Sequence, residues 1–290
     1  MSDNLRKILI VFLLAAGVMA GCGGGNGGSA EPSASPTRLI GEIIAGPEQL
    51  ATSSLRANAT YSGDVSSSRA AARAGNANLL DLLFLTAQTD PQVRATRLQQ
   101  YITANADLLT PGIRVLVADE VYLGADTTQQ LAQQWETLQA AIALVRQQLP
   151  QARVGITVSP YATINRPAMA DETLSYIRRS IVLVDWVATD PYWFGDAQVI
   201  AALHSWSSSF HTLAKQEKAS VETWFVLQAF KFAQWDAGVF NQFIAQQMQY
   251  SEQYDHVILF GWQFVSDLDI ASAGLFFAPE TRQLYAGFLK

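Results

Sequence analysis

The chain has 290 residues, 49% of them hydrophobic and 10% aromatic, with a formal net charge of -6. That composition can fill a large apolar core and supplies no cationic surface excess, which argues against nucleic acid and anionic lipid headgroups as partners. A single cysteine, Cys22, excludes an internal disulfide.

At the N-terminus Arg6 and Lys7 precede an apolar run from Ile8 to Met19, and Ala20-Gly21-Cys22 follows. The run is short for a bilayer span and has the three-part layout of a secretory signal, so residues 1–21 are expected to be a leader. Val18-Met19-Ala20-Gly21-Cys22 resembles the lipobox of bacterial lipoproteins, with Met19 where that family more often has Leu. The resemblance implies that Cys22 carries lipid, becomes the mature N-terminus and anchors the protein in the bacterial cell envelope. Gly23 in place of an aspartate is similar to lipoproteins sorted to the outer membrane, facing the periplasm or the surface. Residues 22–37 are Gly, Ser and Pro with almost nothing to bury, and read as a flexible tether. The folded part is expected over residues 38–290 as a single domain, roughly 250 residues, enough for one (β/α) barrel.

Arg38 to Ala45 and Ala57 to Val65 give weak strand signals, Ala70 to Ala74 a short helix ended by Gly75, and Asn78 to Thr86 an apolar run read as a strand. Pro91 to Leu109 is helical, with Val93, Leu98, Tyr101, Ile102 and Leu108 near one stripe. The most informative stretch follows. A Pro111-Gly112 turn starts the run Ile113 to Glu120, β-branched and apolar until two adjacent carboxylates, Asp119 and Glu120, close it. Asp126 is placed to cap a helix over Thr127 to Leu149.

Further strand-like runs cover Arg153 to Pro160, Ile181 to Asp190, Val221 to Phe230 and His256 to Phe264. Helical segments separate them: a short one begun by Asp171-Glu172, one from Asp196 to Lys215, and one from Asp236 to Tyr250. Glu280 to Leu289 closes the chain. Strand and helix alternate, which predicts a (β/α)8 TIM-type barrel with compact or irregular first units, the run at Ile113 being its fourth strand. An open doubly wound parallel sheet is the alternative.

In a barrel the strand ends meet on one face, so Asp119-Glu120, Asp190-Pro191-Tyr192-Trp193, Gln228 and Trp262-Gln263 are expected to converge. Strand parity puts Glu120 on the face of Ala118 and Leu116, and sets Asp185 opposite to Asp190. Glycoside cleavage needs a partly dry, protonated carboxyl group and a second carboxylate across the scissile bond. Glu120 suits the first role and Asp190 the second, while Tyr192, Trp193 and Trp262 can stack on sugar faces and Gln228 can hydrogen-bond a sugar. Plain structural roles compete with these: Asp119-Glu120 as a solvated strand end, Asp190 before Pro191 as a turn residue, Trp186 and Trp224 as core, and Glu222 at the barrel bottom.

Together these motifs resemble the (β/α)-barrel glycoside hydrolases. In retaining members the acid/base glutamate follows an asparagine at the end of the fourth strand, so the resemblance implies that Glu120 is the acid/base and that Asp119 replaces the asparagine. The nucleophile of that pattern would end the seventh strand, where this chain has Gln228, an amide that cannot attack an anomeric carbon as a carboxylate does. The expected partner of Glu120 is therefore Asp190, Asp119 or Asp267. Asp190, two strands away across the mouth, is expected at the longer separation of about 6.5 to 9.5 Å that leaves room for an attacking water.

His204, His211 and His256 lack metal-ligand spacing, and the chain has no Gly-rich phosphate loop followed by Lys-Ser/Thr and no Gly-x-Ser-x-Gly elbow. No metal or cofactor is expected. The function expected is a lipid-anchored glycoside hydrolase acting on a polysaccharide or glycan, with a non-catalytic carbohydrate-binding lipoprotein as the alternative.

Overall fold

Short β-branched and aromatic runs form the strands, and the longer amphipathic segments between them form helices. The structure is a computed structural model that describes residues 38–43, 58–232, 235–260, 270–272 and 278–288. Its barrel strands are β1 (Ile40–Ile43), β2 (Ala59–Ser62), β3 (Ala77–Asp81), β4 (Arg114–Ala118), β5 (Arg153–Val158), β6 (Trp186–Thr189), β7 (Glu222–Gln228) and β9 (His256–Phe260). All pair in parallel, and β9 returns to β1 with Ile258 opposite Gly41, so the sheet closes. Closure decides for the (β/α)8 barrel over the open sheet. A short antiparallel pair, β8 (Phe230–Phe232) with β10 (Ile270–Ser272), lies outside the ring.

The helices are α1 (Val65–Arg73), α2 (Phe84–Ala87), α3 (Pro91–Ala104), α4 (Thr128–Gln148), α5 (Tyr161–Ile164), α6 (Ala170–Leu183), α7 (Ile200–Glu217), α8 (Ala237–Ser251) and α9 (Pro279–Phe288). Several boundaries differ from expectation. The run Asn78 to Thr86 stops being strand at Asp81, because the Asp81 carboxylate accepts the Leu83 backbone N–H at 2.7 Å and turns the chain into α2. The apolar run after Ile181 is first helix and only then strand: Ile177, Ser180 and Ile181 continue the buried stripe of α6, and β6 starts at Trp186. Thr127, not Asp126, caps α4 by accepting from the Gln130 N–H, while Asp126 pairs with Arg166 at 2.6 Å.

Strand parity sorts the barrel into layers. Side chains of one parity, including Val115, Val154, Ile156, Val187, Phe225, Leu227, Val257 and Leu259, pack outward in the core under the helices. The other parity fills the interior with Ala59, Tyr61, Leu79, Leu116, Trp186, Ala188, Trp224, Val226 and Ile258. Trp186 lies flat over Gly155, where an added Cβ would stand 2.0 Å from the indole, and it donates Nε1–H to the Arg153 carbonyl at 3.0 Å. Glycine at 155 is what lets a tryptophan fit inside an eight-stranded barrel.

Below the indoles the bottom layer is ionic. Arg114 grips Glu222 with two bonds of 2.9 and 3.0 Å, Arg153 donates to the same carboxylate, and the His256 ring lies 3.8 Å away. Burial would raise the Glu222 carboxyl, but His256, Arg114 and Arg153 hold it well below the usual carboxylate range. A group depressed in the folded state stabilises the fold above its unfolded value, 4.5 here, and loses that contribution as pH falls. Glu222→Gln leaves two mostly enclosed guanidinium groups without their counter-charge and is expected to cost about 3 kcal/mol at pH 7. In urea melts of wild type and variant, that gap should shrink below about pH 4.5; a gap that is absent, or unchanged with pH, would contradict the assignment.

Candidate active site

The end of β4 is irregular, and the irregularity builds the site. The register with β5 shifts between Leu116 and Ala118, a β-bulge, so Leu116 faces the barrel interior while Ala118 packs in the outer core. The even alternation that put Glu120, Ala118 and Leu116 on one face is thus broken. Immediately beyond, Glu120 (φ 44°) and Tyr122 (φ 67°) take left-handed backbone conformations, which cost non-glycine residues about 1–3 kcal/mol each. Thr157 at the end of β5 holds this strained turn in place. Its hydroxyl donates to Asp119 and accepts the Glu120 backbone N–H at 2.6 Å, and its carbonyl accepts the Val121 N–H at 3.1 Å. Both Asp119 and Glu120 thereby face the mouth of the barrel.

The third acid arrives from β6. Asp190, 5% exposed, hydrogen-bonds through its carboxyl group to the Glu120 carboxyl group. The two are in contact, so the water-sized separation of about 6.5 to 9.5 Å expected between them is not present. Direct contact between two carboxyl groups requires a proton between them. Burial, then the charge of Asp119, pushes Glu120 up to about 7, although hydrogen bonds from Asp190 and Ser159 pull the other way. Asp190 is raised well above the ordinary carboxylate range by burial and then by Glu120 and Asp119. Asp119 is raised by burial, against the bonds it accepts from Thr157 and the Glu120 N–H. The Glu120–Asp190 pair therefore holds a proton near neutral pH.

These groups line a cavity of ≈ 80 Å³ at the C-terminal end of the strands. Its floor is Leu116, Trp186, Trp224 and Ile258, and an aromatic wall of Tyr192, Phe194, Phe230 and Phe260 completes the lining. Tyr192 stands in that wall with ring centroids 5.5 Å from Phe230 and 5.4 Å from Phe260. Among the described residues no lining side chain is Lys, Arg or His, and no group of three or more His, Cys, Asp or Glu is arranged to hold a metal ion.

Of the residues expected at the site, Asp119, Glu120, Asp190 and Tyr192 are brought together. Trp193 is not. It is 2% exposed, donates Nε1–H to the Asp196 carbonyl, and packs against Trp235 and Phe243 in the outer core, so it offers no sugar platform. Gln228 is also buried away from the cavity. Its amide accepts the Trp193 N–H at 2.7 Å and donates to the Trp193 and Phe230 carbonyls, which uses its polar atoms structurally. Trp262, Gln263, Asp267 and Cys22 lie outside the described residues. Asp185 sits at the other end of β6, bound to Arg146 at 2.7 Å and accepting the Val154 N–H.

Sequence reasoning missed Thr157, Tyr61 and Asp81. Tyr61 lines the cavity and donates its hydroxyl to Asp81 at 3.2 Å, and burial pushes Asp81 up to about 6. The signal for Asp81 was a carboxylate inside an apolar run, hidden because the run was read as strand through to Thr86.

No family model and no curated protein sequence matches the chain. Solved structures do share its fold. A psychrophilic glycoside hydrolase family 10 endo-β-1,4-xylanase superposes with a TM-score of 0.60 at 11% identity, over 87% of this chain and 96% of that one. A β-glucuronidase from Bacteroides uniformis gives 0.52 at 11%, over 83% of this chain and 33% of its own length. Xylanase XynB from Paenibacillus barcinonensis gives 0.50 at 11%, over 77% and 83%. The chain is a (β/α)8 TIM barrel whose structural neighbours include glycoside hydrolases.

Because the mouth acids are held above their unfolded values, the folded state binds protons more tightly, and stability falls as pH rises through that range. Asp190→Asn removes one member of the pair. Relative to wild type it should raise the melting temperature at pH 8, by roughly 4–8 °C if the relief is about 2 kcal/mol, and change it little at pH 4.5. A destabilised variant at pH 8 would contradict the buried-acid pairing.

Proposed function

We propose that the protein acts on a polysaccharide or glycan as a glycoside hydrolase, with Glu120 as the general acid. The observation that carries this reading is the carboxyl cluster Asp119, Glu120 and Asp190, dry enough to keep a proton near neutral pH, at the strand ends where barrel enzymes build their sites. The fold it shares with xylanases and a glucuronidase supports the same reading. In this scheme protonated Glu120 donates to the glycosidic oxygen as the bond to the anomeric carbon breaks. Gln228, an amide engaged with backbone, offers no nucleophile, so the attacking group is water, and Asp190 or Asp119 takes its proton. Substrate entry must part the Glu120–Asp190 contact to admit that water.

The contact between Glu120 and Asp190, with Gln228 turned away, equally favours a second reading: a carbohydrate-binding protein on a barrel that no longer cleaves. A glycan-panel hydrolysis screen separates the two. Glu120→Gln is expected to lower kcat at least 100-fold, and wild-type kcat to decline above about pH 7 as Glu120 loses its proton. Equal activity in both proteins would remove Glu120 from the mechanism, and binding without turnover in wild type would favour the second reading.

We also propose that lipid on Cys22 holds the barrel at the bacterial envelope through the tether at residues 22–37. Cys22→Ser expressed with its native leader should move from the membrane fraction to the soluble fraction; retention on membranes would exclude this anchor.

A further inference from the structure

Each acid contributed by the end of β4 is met by a hydroxyl from β5 or the residue after it: Thr157 bonds Asp119, and Ser159 bonds Glu120. Thr157 stands two residues beyond Gly155 and so shares the inward parity of the position that Trp186 covers. It is buried and lines the cavity. Its hydroxyl oxygen accepts the Glu120 backbone N–H at 2.6 Å, and its one proton goes to Asp119 Oδ1. Among the described residues that proton has no other acceptor. If Asp119 were the donor in this bond, the threonine proton would be stranded in an enclosed site, so the pattern selects Asp119 as the acceptor and favours its ionised form. Asp190 is placed differently. Its Oδ1 is fully enclosed, and its carboxyl group is tied to Glu120, so that oxygen is closed to a water arriving from the mouth.

Resting on the hydrolase reading above, we propose that Thr157 is a positioning residue that makes Asp119 the general base, while holding Glu120 in the left-handed turn that presents it as the acid. In the step this allows, a water oxygen bonds to the anomeric carbon as the bond from that carbon to the glycosidic oxygen breaks. The water gives one proton to Asp119, and Glu120 gives its own to the departing oxygen, so both products leave neutral. A proton then passes from Asp119 back to Glu120 through water at the mouth, which restores the starting state. The titratable groups that face Asp119 are Glu120 beside it, Asp190 and Tyr192 after β6, Asp81 at the end of β3 and Tyr61 on β2, with no cation among the described lining residues. Tyr61 gives its proton to Asp81, which leaves Thr157 as the hydroxyl that acts on Asp119. Burial raises all three mouth acids, and within that raised set Asp119, with its donors, is the first to ionise.

The test measures proton order and rate in the full chain. With the Asp and Glu carboxyl carbons isotopically labelled for NMR and assigned through Asp119→Asn, Glu120→Gln and Asp190→Asn, Asp119 is expected to lose its proton first of the three. Thr157→Val keeps the volume and removes the hydroxyl, so the charged form of Asp119 loses its donor and the midpoint should rise by about one pH unit or more. Thr157→Ser keeps the hydroxyl and should restore it. On a panel of para-nitrophenyl glycosides, whose departing phenolate needs little help from an acid, Thr157→Val should lower kcat at least about 10-fold near the acidic limb with KM little changed. That limb, set by ionisation of the base, should move to higher pH together with the Asp119 midpoint. A threonine that only supports the turn would lower kcat alike at every pH and leave the midpoint in place. That result, or Asp119 ionising after Glu120 and Asp190, overturns the assignment and leaves the hydrolase reading intact. If Thr157→Val does not fold, the wild-type order and the Thr157→Ser profile decide. Absence of turnover on every glycoside overturns the hydrolase reading and the base role with it.

Discussion

Keeping three carboxyl groups out of water at one end of a barrel, with no cation beside them among the described residues, is the constraint around which this molecule is arranged. The same barrel shows what the alternative looks like. Glu222, at the opposite end, is largely enclosed too but lies between two guanidinium groups and is held as an anion. Asp119, Glu120 and Asp190 have only hydroxyls, backbone N–H groups and each other, so they hold protons instead. Arg114 and Arg153 at the bottom stabilise the fold. The uncompensated acids at the top work against it, and a bulge and two left-handed residues at the end of β4 add to that opposition. Costs of this kind concentrated at one rim make that rim the candidate site.

The barrel was legible because its signals are periodic and local. β-branched runs with outward parity, separated by long helical stripes, give the strand count from β4 onward. The carboxylates at strand ends then mark the rim, where Asp119, Glu120 and Asp190 line one cavity. What could not be read depended on tertiary contacts. The bulge after Leu116 leaves no trace in the alternation of hydrophobicity, so the parity assigned to Glu120 used the wrong count. Whether Trp193 turns toward the mouth or the helices depends on the Gln228 amide reaching across from β7 to its backbone, a contact spanning 35 residues of sequence. Ile181 to Leu183 are as apolar as a strand, and only the burial of their α6 face decides that they are helical. Tyr61 belongs to a four-residue strand, too short to announce itself by period.

The position of Gln228 shows how one strand end in this fold can serve structure rather than chemistry. Its side chain stitches the loop after β6 to β7, and its own carbonyl accepts the hydroxyl of the fully buried Tyr285 on α9. A carboxylate there would meet the Trp193 carbonyl oxygen, so charge at this position conflicts with the local hydrogen bonding as well as with the neighbouring acids. At this position β7 therefore contributes a structural amide, and the carboxyl groups at the mouth come from the ends of β4 and β6.

The tilted indoles of Trp186 and Trp224, with ring centroids 6.2 Å apart between the two charge layers, have a further effect. They form a slab of low polarity across the barrel waist, with the Arg114 guanidinium against the underside of Trp224 and the acids above. The slab acts as an insulator and as a stopper. The guanidinium charges below are engaged with Glu222, on the far side of the indoles from the rim acids. Among the described residues the indole layer floors the cavity, so whatever exchanges with the acids does so from the mouth, and the cavity is a cul-de-sac rather than a conduit.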